Sequence, residues 1–265
     1  MEVMARSEWE ARASSHAAAV DALLAPHLER RRRGIKHPVE DFLFEYYSYR
    51  PGQLRRWFPG VGVDLEGMEP FDLDAFLERR GDTARWVRDL LAATATRPAQ
   101  LGCFGLHEWA MVYRSPETRH DWPLRLGAAG TDAVVQERGV RCSHFDAFRF
   151  FTPSARPLNV LQPTRDTQVQ NEQPGCLHAT MDLYKWAYKL APLTSADLIL
   201  DCFRLARDVR VLDMRASPYD FAALGYEPVR IETPEGRAEY AATQRGFAER
   251  GGVLRARLLQ ALTTA

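Results

Sequence analysis

Lysine is almost missing from this chain of 265 residues: only Lys36, Lys185 and Lys189 occur among 35 basic side chains, and every other base is arginine. GC-rich coding accounts for such a bias, yet two of the three lysines share one short segment. Net charge is missing as well, because 35 acidic residues cancel the 35 basic ones. A neutral chain lacks the extended basic surface that grips nucleic acid, although a local basic groove stays open to it. No run approaches the roughly 18 apolar residues of a membrane helix. The opening segment MEVMARSEWE is polar and acidic where a signal peptide is apolar, which predicts a cytoplasmic protein with no membrane partner. Cysteine is sparse and unpaired in sequence: Cys103, Cys142, Cys176 and Cys202 form no CxxC, which argues against a disulfide framework or a zinc ribbon.

What is present suits a globular protein. About 46% of residues are hydrophobic and 11% aromatic, enough for a large core, and no linker interrupts the chain, so residues 1–265 read as a single globular domain. Helical periodicity predicts helices over 7–33, 38–50, 72–96 (one or two, broken near Gly81), 106–114, 177–191, 194–213 and 235–262, the last with a possible break at Gly251–Gly252. Gly34 is the stop signal of the first, and Thr194–Ser195 with Asp197 is the start signal near residue 194. Short strands are predicted at 133–137, 140–144, 148–151 and 228–232. A long proline-rich loop is expected at about 152–175, a length usually tied to function. The fold class is therefore mainly α with minor β, a compact helical domain with a few short strands.

The helix over 177–189 carries the densest chemistry. His178, Asp182, Lys185 and Lys189 fall at i, i+4, i+7 and i+11, one polar stripe flanked by Leu177, Met181, Tyr184 and Tyr188. An imidazole and a carboxylate at that spacing can ligate one metal ion, or the carboxylate can orient the imidazole for general-base work. A solvated face with an Asp–Lys pair is the alternative. Three other segments join histidine to a carboxylate: His37 with Glu40 and Asp41, His107 with Glu108, and His144 with Asp146. If several converge, two or three imidazoles and one or two carboxylates suit iron, manganese or zinc with an open position. The candidate ligands are His178, Asp182, His144, His107, His37 and Glu40, whereas His16 and His120 read as superficial.

Aromatic and amide side chains cluster in the same segments. Trp109, Tyr184 and Trp186 could wall a pocket, with Gln173 and Arg114 as polar contacts to a substrate, and such a pocket would also suit an extruded nucleobase. Asp182, Glu108 and His178 are the candidate acids and bases, and Lys185 a candidate amine nucleophile if burial frees it of its proton. The PGVG turn at 59–62, followed at a distance by Asp82, imperfectly matches the phosphate-binding hairpin and catalytic aspartate of DNA-repair glycosylases.

The blocks HPVEDFLFEYYSYRP (37–51), FGLHEWAMVYR (104–114), HFDAFRFFTP (144–153), EQPGCLHATMDLYKWAYKLAP (172–192), LDMRASPYD (212–220) and IETPEGRAEY (231–240) resemble a bacterial family usually labelled 3-methyladenine DNA glycosylase. The resemblance spans nearly the whole chain. It implies a DNA-repair hydrolase that excises alkylated bases, with DNA as partner, and assigns no catalytic residues. The residue chemistry itself leaves two other expectations open. One is a metal-dependent His/carboxylate oxidoreductase or hydrolase acting on a small molecule; the other is a metal-free small-molecule binding protein.

Overall fold

A computed structural model describes residues 2–263. In chain order the elements are β1 (Glu2–Met4), α1 (Arg6–Arg32), α2 (Phe42–Glu45), α3 (Pro51–Leu54), β2 (Val63–Leu65), α4 (Leu73–Ala95), α5 (Leu106–Ala110), α6 (Gly127–Arg138), α7 (Phe145–Phe148), α8 (Gln168–Asn171), α9 (Leu177–Lys189), α10 (Ala196–Arg215) and α11 (Pro234–Thr263). The chain is mainly helical, and β1 and β2 form a two-stranded parallel sheet with Val3 opposite Asp64.

The long helices begin where side chains satisfy their free amides. Asp72 accepts from the Ala75 amide at 2.9 Å, Ser195 from Leu198 at 3.2 Å and Thr233 from Gly236 at 3.1 Å, at the starts of α4, α10 and α11. Gly34, in the left-handed conformation (φ 68°), stops α1. Two expected breaks are absent: α4 runs straight through Gly81 and α11 through Gly251–Gly252. The predicted strand at 133–137 is part of α6, whose first turn closes through the Thr131 hydroxyl on the Gly127 carbonyl at 2.7 Å. Burial of Val134 and Val135 on one side of that helix outweighs their preference for a strand.

The other expected strands are also revised. Near 140–144 only Val140 bridges, to Asn159, and residues 148–151 and 228–232 hold no strand. The expected helix over 38–50 is reduced to the single turn α2. The proline-rich loop is less bare than predicted, because Arg156–Leu158 forms a 3₁₀ turn and α8 follows it.

By compactness the chain falls into two units, residues Met1–Ala92 with Met181–Arg207 and Gly252–Ala265, and residues Ala93–Thr180 with Asp208–Gly251. Every boundary lies inside a helix, so no linker composition marks it.

In the first unit the tyrosines of the 46–49 stretch meet those of α9. Tyr47 is edge-on to Tyr184 with centroids 5.5 Å apart, and Tyr49 stacks on Tyr188 at 4.9 Å. The 59–62 turn seals against the start of α10: the Val61 amide donates to the Leu193 carbonyl at 3.1 Å, and Ala196 donates to Phe58 at 3.0 Å. Gly60 has φ 92°, and a Cβ there would lie 3.0 Å from the Ser195 nitrogen, so only glycine fits. The turn leads into β2 and not into a helix, and Asp82 is a surface residue paired with Arg85. The glycosylase-type hairpin anticipated from the sequence is therefore not formed.

In the second unit Trp109 is wholly buried. Its Nε1 donates to the Ala216 carbonyl at 2.8 Å, and the Arg125 guanidinium lies 5.7 Å from its ring centre.

Candidate metal centre

The second unit holds a cavity of about 360 Å³ whose lining includes Cys103, His107, His178, Gln173, Tyr240 and Gln244. Three elements bring ligand-type atoms together beside it, two of them in its lining. His107 comes from α5, His178 from the first turn of α9 and Asp213 from the last turns of α10. One donor atom from each lies within 4.8 Å of the others. His107 Nε2 is 2.8 Å from Asp213 Oδ1, and the His107 and His178 rings meet at right angles with centroids 4.4 Å apart.

Local sequence explains why these groups converge. Phe104 and Gly105 both have positive φ (49° and 72°), which turns the chain sharply into α5 and sets His107 one turn after Cys103. Gly175, just before α9, approaches the Gln100 backbone so closely that a Cβ would lie 2.6 Å from its carbonyl oxygen. Gln173 locks this approach, accepting from the Gln100 and Gly175 amides at 2.8 and 2.7 Å and donating to the Gln100 carbonyl at 3.2 Å. Gln244 of α11 donates to the Gly175 carbonyl at 2.6 Å. The start of α9, and with it His178, is thereby fixed in place.

Around this set lies a second layer of charge. Arg210 Nη1 reaches Asp213 Oδ2 at 3.0 Å and Glu108 Oε1 at 3.2 Å, all three side chains buried. Cys103 Sγ lies 3.6 Å from His107 Nδ1, the nitrogen that faces away from Asp213. Burial works to lower the His107 pKa, but the Asp213 charge and hydrogen bond outweigh it and hold the imidazole well above its usual range. Burial likewise works to raise Asp213, and the charge and hydrogen bond of His107 win, holding its carboxyl far below the usual carboxylate range.

A second imidazole–carboxylate pair occupies the same unit. His144 Nε2 lies 3.3 Å from Glu172 Oε1, both side chains buried, and the His144 ring stacks on His178 at 5.2 Å. Glu172 was not singled out as a ligand by sequence, nor was Asp213. The available signal for Asp213 was an Arg–Asp pair at i, i+3 on an otherwise apolar stretch of α10, between Val209, Leu212 and Met214.

Asp182 belongs to the first unit, where it accepts from the Tyr47 hydroxyl at 3.0 Å and pairs with Lys185. Both are buried, so the stripe is not solvated at Asp182 and Lys185, while Lys189 further along it is exposed. His37 accepts from the Val39 and Glu40 amides at 3.3 and 3.1 Å, while Glu40 pairs with Arg30. They lie in the first unit and outside both ligand sets.

Tyr184 packs in the tyrosine cluster, and Trp186 lies edge-on to Trp86 with the Lys185 ammonium 4.3 Å from its ring centre. Arg114 is exposed beside the Tyr113 ring. Gln173 does line the cavity, though its amide is committed to backbone. His16, expected at the surface, is buried: its Nε2 is 2.9 Å from the Leu54 carbonyl and its Nδ1 3.4 Å from Asp197. His120 is half-buried against Tyr219.

No protein-family model matches this chain, and neither a curated protein nor a solved structure matches it.

Proposed function

We propose that this protein is a metal-dependent enzyme acting on a small molecule, with His107, His178 and Asp213 as the ligands of a divalent transition ion. The observation that carries this reading is the convergence of those three donor groups from three helices, with His107 and His178 in the lining of one cavity. Two imidazoles and one carboxylate form a donor set suited to iron, manganese or zinc, leaving coordination positions for water or substrate. Two of the ligands also have the outer partner that such sites use to fix orientation. Arg210, backed by Glu108, holds the second oxygen of Asp213, and Cys103 faces the second nitrogen of His107.

When bound, the ion would supply Lewis acidity or lower the pKa of a bound water. The chain's own contribution is positional. Gln173 and Gln244 hold the start of α9, and Gln244 Oε1 is buried without a hydrogen-bond partner, an acceptor for a donor group on a ligand. A cavity of about 360 Å³ lies at the small end of the range for small-molecule sites.

The base-excision reading implied by the family resemblance needs an aromatic pocket. Trp109, Tyr184 and Trp186, its proposed walls, are buried in packed clusters and line no part of this cavity. The test is element-resolved metal analysis of the purified full chain. The reading predicts at least one equivalent of iron, manganese or zinc, lost in His178→Ala. Absence of any such ion, even after reconstitution, would overturn it.

A further inference from the structure

We infer that the centre is built for two ions, the second held by His144 and Glu172. This inference rests on the metal-dependent reading above and extends it. Ligand bonds of about 2.0–2.2 Å confine the donors of a single ion to a sphere little more than 4 Å across. His107, His178 and Asp213 come close to meeting that limit, and neither His144 nor Glu172 joins their set. The His144–Glu172 pair nevertheless repeats the construction of the first site. A histidine Nε2 stands 3.3 Å from a carboxylate oxygen, with side chains 1% and 3% exposed. That separation is typical of neighbouring donors on one ion and is long for the hydrogen bond of a charged pair.

The two sets are joined by His178. Its ring meets His107 on one side, with centroids at 4.4 Å, and stacks on His144 on another, at 5.2 Å with planes 26° apart. Three imidazoles in series, with a buried carboxylate at each end, make a continuous donor track within one unit. Glu172 has its own outer partners, as Asp213 does. Gln168, wholly buried, donates its amide to Glu172 Oε1 at 2.5 Å, and Arg97 donates to the Glu172 carbonyl at 2.8 Å, pinning the backbone at the end of α8. A buried glutamine whose amide reaches a ligand-type carboxylate is the kind of support that orients a metal ligand.

The experiment is a manganese(II) titration of the chelator-treated full chain, followed by electron paramagnetic resonance. Two equivalents are expected to bind, and the isolated-ion spectrum of the first should be replaced by that of an exchange-coupled pair as the second enters. Glu172→Gln, which keeps size and hydrogen bonding while removing the anionic ligand, should stop at one equivalent with only the isolated-ion spectrum. Saturation of the unaltered chain at one equivalent overturns the second site and leaves the first standing. Two equivalents bound by Glu172→Gln also overturns it. Binding of none overturns both readings together. Should Glu172→Gln fail to fold by circular dichroism, the stoichiometry and spin coupling of the unaltered chain decide the matter alone.

Discussion

Arg210 is the residue on which the electrostatics of the proposed centre turn. It lies 2% exposed between two buried carboxylates, Asp213 and Glu108. Burying such charges costs more than an exposed pair returns, and removing one partner leaves the others uncompensated. Arg210→Met should therefore destabilise the metal-free fold by about 3–5 kcal/mol. It should also weaken metal binding by about 10- to 100-fold, the usual effect of losing an outer partner. Denaturant unfolding and metal titration check the two effects separately.

His16 supplies a residue-scale test that is independent of the metal. Burial works to lower its pKa, but Asp197, with the Leu54 carbonyl, outweighs this and raises it, even with the Arg204 charge opposing. Asp197 is lowered, chiefly by its hydrogen bond to His16. A raised histidine contributes stability below its unfolded pKa and loses it as pH rises through the folded value. A lowered aspartate contributes above its unfolded pKa and loses it as pH falls. The pair is thus worth most between about pH 4.5 and 6. Asp197 is 55% exposed, so the contribution should stay below about 1 kcal/mol. Asp197→Asn should lower the melting temperature most in that acidic window, with the gap closing in alkaline buffer; a gap that widens with pH would contradict the assignment.

Residues were legible in sequence where chemistry and periodicity coincided. His178 stood out by its stripe, and His107 and His144 by their carboxylate neighbours. Their partners in space were not legible, because Asp213 lies 106 positions from His107 and no local rule joins them. The burial of His16 is not legible, because its neighbours in sequence are small and polar while its partners, Leu54 and Asp197, are distant in the chain.

At the scale of elements, the long helices were readable from period and caps, and the short ones were not. A single turn such as α5 or α7 is held by its surroundings and carries too few residues to show a period. The 133–137 segment shows the same limit, since β-branched residues on a buried helix side mimic a strand. The 59–62 turn illustrates the reverse, a correctly read turn with a different purpose. Its glycine at φ 92° packs on the start of α10 and leads into β2. Gly60→Ala should cost about 1–3 kcal/mol from backbone strain and the contact with Ser195. Gly62→Ala has equal strain (φ 91°) but open space around its Cβ, and should cost less. Equal losses in thermal unfolding would mean that packing at Gly60 contributes nothing.

At the scale of the whole molecule, neutrality and a small cavity point the same way. Among the described residues no helix is long and apolar enough to cross a membrane. The absence of net charge gives no general pull on a polyanion. Two of the three lysines lie on α9, the helix that also carries His178.

The central claim is that an ion is held by histidine and carboxylate at His107, His178 and Asp213, with the nearby thiols outside its ligand sphere. X-ray absorption at the metal edge of the purified protein tests this most directly. The account predicts a shell of nitrogen and oxygen at about 2.0–2.2 Å with the outer scattering of imidazole rings. A sulfur shell at about 2.3 Å, placing on the metal Cys103 or Cys176, both of which line the cavity, would contradict it.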